Sequence, residues 1–525
     1  MAKEYDVVMI GAGHNGLIAG AYLVKAGLNV CFLEQAPIVG GGNITLEVAA
    51  PGFKSDICST FHVFIQGNPL IRNDELDLQS KYGLKYILPD NQSTVLFPDD
   101  TYITLFKDVD KTCQSIAKFS EKDADNYKKC YEWCLPLLDM LTEGMFNPAP
   151  DFGTFASLLS QSEPGRGLLR TMMQSGKDFA DEWFESSELR ILSTRWASEG
   201  LLSPQTKGTA IALLMMIPLI HKYGGAGYPV GGSGELSKSV ERFILANGGT
   251  IRCDSLVEKI NVTGGEAKSV VLSDGEEIIA KKAIISNLHI KQLFPGMVGK
   301  ENLSESFIQQ VARTQSSGFS CMNIHLALNE APKYIATAED DFLFVEFSPL
   351  SYEKYLRCFD DLEYGHINTD LILSVCNTQF DPTRAPEGKH VLYLYHYEPY
   401  ELADGGPEKW DEIKMDVADE ILAKLRKQTT NMGDDNIIGK WVESPLDIER
   451  RTKSMLRGDF MHLGHFMHQT LGNRPLPIYN VRTPIDKLYM CGPSCHPGGG
   501  ISGGGRAQVQ PVMEDLGIDF LDLIK

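Results

Sequence analysis

The chain has 525 residues, 43% apolar and 22% charged, a balance that excludes a disordered or fibrous protein. Its length exceeds one ordinary domain, so about two to four domains, some assembled from separated segments, are expected. The net charge of -20 argues against nucleic acid and anionic lipid surfaces, which are bound by basic side chains that neutralise phosphate.

The 11 cysteines show no paired spacing, and no leader with a basic start and an apolar middle opens the chain. Both features read as a reduced, cytoplasmic protein. The most apolar run, Ala210 to Ile220, is far short of the ~20 residues of a membrane span and reads as a buried helix.

In chain order, the first element is an apolar strand from Tyr5 to Ile10. The glycines Gly11, Gly13 and Gly16, an alanine-rich helix and a second apolar strand ending at Glu34 follow. Gly11 permits the tight turn, Gly13 lets backbone approach a pyrophosphate, Gly16 lets the helix pack on the strand, and the helix N-terminus offers free N–H groups. Glu34 is placed to accept hydrogen bonds from ribose hydroxyls and would repel a 2′-phosphate, leaving FAD or NAD.

The next stretch, "EQAPIVGGGNITLEVAAPGFKSDICST", resembles the FAD-dependent phytoene desaturase and amine oxidase superfamily, in which a second glycine pair passes beside the FAD pyrophosphate. The resemblance places His14, Asn15, Gln35, Gly41, Gly42, Asn43, Ser59 and Thr60 along the cofactor. Asn43 stands where the family usually has an arginine.

Between Leu76 and Ala226, a strand-like "STVLFPDDTYITLF" precedes mostly helical sequence. From Gly227, a glycine loop leads to an amphipathic helix bearing Leu236, Val240, Phe243 and Ile244 on one face. "NGG" at Asn247 to Gly249 stops that helix, and a hairpin turning at Asp274-Gly275 leads into a strand ending at Asn287. In the family this segment returns to the FAD domain, with Val257 against the adenine and Asn287 beside the cofactor.

From Glu301 to Leu456 the texture is mixed, with strand-like "CMNIHLAL", "DFLFVEF" and "KHVLYLYHYEP" and a helical "DEIKMDVADEILAKLRKQ". The last segment, "LYMCGPSCHPGGGISGGGRAQ", is a short strand, a glycine-rich turn and a helix start. That geometry suits phosphate or a flavin edge better than metal, since Cys491, Cys495 and His496 do not complete a four-ligand set. It looks like the C-terminal signature of the bacterial-type phytoene desaturase-like branch that includes pyridine nucleotide-disulfide oxidoreductase domain-containing protein 2. The resemblance assigns Gly492, Pro493, Gly500, Ile501 and Ser502 to the flavin; Pro493 replaces a frequent Asp.

The expected class is α/β. A Rossmann-like FAD-binding domain from residues 1–75, 227–300 and 457–525 would be joined by an inserted α+β substrate domain from 76–226 and 301–456. The resemblance implies an FAD-dependent desaturase or dehydrogenase taking hydride from a small apolar, alicyclic or isoprenoid-like substrate, with oxygen or a quinone as acceptor. It leaves oligomeric state and a peripheral membrane contact open. A peroxide-releasing amine oxidase, a flavin-dependent isomerase and a non-catalytic FAD-binding protein are the alternatives. His62, His221 and His496 are the expected catalytic or substrate-contacting histidines. Cys495 raises covalent flavin attachment, and His462, His465 and His468 read as one turn or helix face rather than a metal set.

Overall fold

The computed structural model describes residues 3–337, 342–477 and 479–525. Ile478 in the "RPLPIY" stretch and Asp341 in "DFLFVEF" lie outside the described residues.

Two seven-stranded sheets organise the chain. In the first, Lys3–Ile10 pairs in parallel with Val30–Leu33 on one side and Glu277–Ser286 on the other. Thr250–Arg252 extends the sheet beside Val30–Leu33, and Leu488–Met490 pairs in parallel with Glu277–Ser286. Strands from the start, middle and end of the chain thus form one surface. The unbroken apolar run of the first strand has a simple cause, because both faces are covered. Val7 and Met9 pack under the helices His14–Lys25, Gly234–Ala246 and Gly505–Asp515, whereas Val8 and Ile10 pack with Val257, Phe294 and Leu488.

The second sheet runs Ile437–Glu443, Ser320–Leu328, His390–Glu398, Ile372–Val375, Val345–Phe347, Asn91–Leu96 and Tyr102–Phe106. It joins strands from either side of the middle segment of the first sheet. Period-2 alternation gives its longest strands two different faces. Leu392 and Leu394 bury against the helix Trp410–Lys427, whereas Tyr393 and Tyr397 face a core built with the helices Glu121–Phe146, Ser187–Ala197 and Ala210–Lys222. Among the described residues, no helix is long and apolar enough to cross a membrane.

Candidate functional site

The turn after the first strand is held by close packing over glycine. A Cβ on Gly13 would lie 2.8 Å from Asn287 Nδ2, and one on Gly16 would lie 2.8 Å from the Gly11 carbonyl oxygen. Asn287 itself is fixed at the end of its strand by its backbone N–H, which donates to the Ile10 carbonyl at 2.8 Å. Glu34 follows the second strand, and its carboxylate accepts from the Ala12 N–H at 2.7 Å and the Ala36 N–H at 3.0 Å. Burial raises its pKa, against those two hydrogen bonds. Val257 begins a neighbouring strand, and the Ser255 N–H donates to the Glu34 carbonyl at 2.8 Å. Gln35 is exposed.

One cavity of about 370 Å³ starts at this turn and runs under the second sheet. Gly13, His14, Asn15, Gly41, Gly42, Ser59, Thr60, Asn287, Pro493, Gly500, Ile501 and Ser502 line it, together with His496. Gly11, Gly16, Glu34, Gln35, Asn43, Val257 and Gly492 do not line it. Around the nucleotide end, buried polar atoms have no partner in the protein: His14 Nε2, both amide atoms of Asn15, Asn287 Oδ1 and Ser502 Oγ. Groups of this kind are ordinarily satisfied. Such a set beside a glycine cradle fits a polar, phosphate-bearing cofactor, with the N-termini of the helices His14–Lys25 and Gly505–Asp515 adding favourable dipoles.

Asn43 departs from its expected phosphate role. Its Oδ1 accepts from the Ser237 N–H at 3.2 Å and hydroxyl at 2.6 Å, while its Nδ2 donates to Ser233 Oγ at 2.6 Å. The amide is spent on the start of the helix Gly234–Ala246.

The three expected catalytic histidines are not brought together. His62 is fully buried outside the cavity lining, between the Tyr86 hydroxyl at 2.8 Å and Ser233 Oγ at 2.8 Å. The Asn43 amide, oriented by the Ser237 N–H, directs Nδ2 at His62 Nε2 across 3.2 Å, so Nε2 is the unprotonated nitrogen. His221 also stays outside the lining, and its Nδ1 donates to the Lys107 carbonyl at 2.8 Å while Nε2 meets the Tyr127 hydroxyl at 2.9 Å. Both rings serve packing at these positions rather than the cavity.

His496 lines the cavity. Its Nε2–H donates to the Gly144 carbonyl at 2.8 Å, which assigns the proton to Nε2 and leaves the Nδ1 lone pair free of that bond. Burial lowers its pKa to about 4, so the ring is neutral at physiological pH. The loop carrying it is tied at both ends by side chains. Gln508 accepts from the Gly492 N–H at 2.8 Å and donates to the His496 carbonyl at 2.9 Å. The fully buried Arg474 donates from Nη2 to the carbonyls of Met461 at 2.9 Å, Leu463 at 2.8 Å and Pro493 at 2.7 Å.

Cys495 does not line the cavity; it is buried in the core behind it, and burial pushes its thiol up to about 12. That position does not favour covalent attachment of a flavin. His462 and His465 both line the cavity, whereas His468 does not. His462 Nδ1 meets Ser494 Oγ at 3.1 Å, His465 Nε2 donates to the Pro497 carbonyl at 3.3 Å, and His468 stacks on Phe466.

Beyond the cofactor end, the wall is apolar and soft, with Met145, Met172, Met215, Met216, Met461 and Met467 beside Phe61, Phe64, Phe155 and Phe460. Tyr393, Tyr395, Trp196 and Glu199 also line it and are absent from the sequence-based site. The tyrosines had a legible signal, the period-2 repeat of "LYLYHYE"; Glu199 had none, because only the fold brings it to the cavity.

Residues 9–72 match the family model described as NAD(P)-binding Rossmann-like domain. The chain is 29% identical to pyridine nucleotide-disulfide oxidoreductase domain-containing protein 2 of Rattus norvegicus, over 98% of this chain and 94% of that protein. It is 28% identical to a limonene dehydrogenase chain of Castellaniella defragrans, over 99% and 96% respectively. These similarities match the FAD-dependent phytoene desaturase and amine oxidase superfamily. A solved putrescine oxidase redesigned in its cofactor binding superposes with a TM-score of 0.62 at 15% identity, covering 98% of this chain and 99% of that one, and shows the shared fold. FAD is the cofactor that goes with this likeness and with the unpartnered polar atoms at the nucleotide end.

Proposed function

We propose that this flavoprotein is a dehydrogenase or desaturase of a small apolar, alicyclic or isoprenoid-like substrate. The observation that carries the reading is the single cavity that leads from the nucleotide turn directly into a methionine- and phenylalanine-lined chamber. Glu34, Val257 and the turn Gly11 to Gly16 would hold the adenosine and pyrophosphate, and Pro493 and Gly500 to Ser502 the ring end. Bound FAD supplies a hydride acceptor there.

The chain itself does three things. Its apolar wall excludes water and holds a hydrocarbon skeleton by dispersion, positioning a C–H bond without polar guidance. The Arg474 and Gln508 clamps keep the glycine loop in one conformation. His496, neutral with its proton on Nε2, offers Nδ1 to the proton that leaves the neighbouring carbon. A C–H next to a carbon losing hydride is strongly acidic, so a base held near 4 is sufficient.

The limonene dehydrogenase relative, by its name, acts on a compound of this class, which supports the reading. Oxygen or a quinone would complete the cycle. The test is anaerobic mixing of FAD-loaded protein with cyclic monoterpenes and with amines, followed by air. Bleaching of the oxidised flavin by the terpenes alone is expected; bleaching by amines alone would overturn it.

A further inference from the structure

Among the described residues lining the cavity there is no lysine or arginine, and Glu199 is the sole carboxylate. A carboxylate adds nothing to the holding of a plain hydrocarbon, and taking it out of water costs desolvation. Glu199 is held in place: Arg195 Nη1 lies 2.7 Å from one of its oxygens, while Arg195 Nε lies 2.5 Å from the buried Glu346. Its side chain nevertheless stays 32% accessible, so its acceptor capacity is not exhausted.

Two donors line the same chamber. Trp196, three residues before Glu199, is only 5% accessible, and its indole N–H has no acceptor. The Tyr395 hydroxyl is likewise buried, with the weakly hydrogen-bonding Cys321 thiol as its neighbour. Tyr395 packs beside Tyr397, with ring centroids 5.4 Å apart, and the Tyr397 ring lies 4.7 Å from the Arg195 guanidinium. One acceptor and two donors thus belong to side chains that line the same chamber.

We propose that Glu199, Trp196 and Tyr395 form a hydroxyl-recognition point, so that the preferred substrates are apolar alcohols rather than bare hydrocarbons. The proposal rests on the dehydrogenase reading above and narrows its substrate class. A hydroxyl is the complementary group, because it donates to a carboxylate and accepts from an N–H or O–H. A ketone or ether leaves Glu199 facing an acceptor. An ammonium leaves the Trp196 N–H, which can only donate, facing a donor.

The test uses FAD-loaded protein and four cyclohexane derivatives of one skeleton, 4-isopropylcyclohexylmethanol, its methyl ether, the corresponding primary amine and 1-isopropyl-4-methylcyclohexane. Binding is followed by perturbation of the oxidised flavin spectrum, and turnover by anaerobic bleaching. The alcohol is expected to bind at least about tenfold tighter than the ether or hydrocarbon, the worth of one charge-assisted hydrogen bond. Glu199→Gln should shrink that preference to less than about threefold, the residue of a neutral hydrogen bond. Trp196→Phe, which keeps an aromatic ring against Phe344, should shrink it as well.

Equal binding of alcohol and ether overturns the proposal. So does tightest binding of the amine, an unchanged preference in both variants, or no spectral change with any of the four. Bleaching by the hydrocarbon without alcohol preference keeps the dehydrogenase reading and removes the recognition point. Alcohol preference without bleaching by any terpene or derivative does the reverse.

Discussion

The Nε2–H of His496 donates to the Gly144 carbonyl oxygen across 2.8 Å, joining the C-terminal glycine loop to the long helix Glu121–Phe146. This bond selects the tautomer and offers Nδ1 as the ring's free acceptor. His496→Ala should keep FAD bound and slow anaerobic flavin reduction by about 100-fold, the usual worth of a positioned base. Flavin content and stopped-flow reduction check this together; loss of flavin would show the ring to be structural.

The closeness of Gly13 to Asn287 makes a second outcome definite. Gly13 has φ −65°, so alanine there meets no backbone strain, only the Asn287 amide 2.8 Å from its Cβ. Gly13→Ala should weaken FAD binding by at least about tenfold and lower stability by about 1–3 kcal/mol, as overpacking does. Adding Asn287→Ser should recover much of the stability but not the FAD affinity. Thermal melts and flavin titration of the double-mutant cycle measure both.

Cys495 lies in the core with its thiol donating weakly to the Asn480 carbonyl at 3.7 Å, outside the cavity lining. Acid denaturation should therefore release all flavin into the supernatant, and Cys495→Ala should carry as much FAD as the parent. Flavin that stays with the pellet would contradict this.

Glu346 gives a pH dependence with a definite sign. Burial raises its pKa from 4.5 to about 7, against the pull of Arg195. A carboxyl raised in the folded state favours the protonated form, so the contribution of Glu346 to stability is fullest below pH 4.5 and is lost as pH rises through about 7. Glu346→Gln removes that titration. Relative to the variant, the parent should lose about 1–3 kcal/mol between about pH 4.5 and about pH 7.5, read from denaturant midpoints at each pH. A parallel pH profile for both proteins would refute it.

Sequence alone determined the nucleotide turn. Local periodicity, the three glycines after an apolar strand and Glu34 at the next strand end all lie within the first 35 residues, so neighbouring positions in the chain impose the geometry. Asn43 escapes that logic: its place beside the glycines is visible in the sequence, but its partners Ser233 and Ser237 lie about 190 positions away. Tertiary structure decided the substrate end. Trp196, Glu199, Tyr395 and His496 come from a helix end, a sheet strand and a loop that share no local pattern. Only long-range packing turns His496 toward the cavity and His62 and His221 into buried hydrogen-bond pairs. A side chain's role in a pocket depends on which groups of other segments already satisfy it, and no spacing along the chain encodes that.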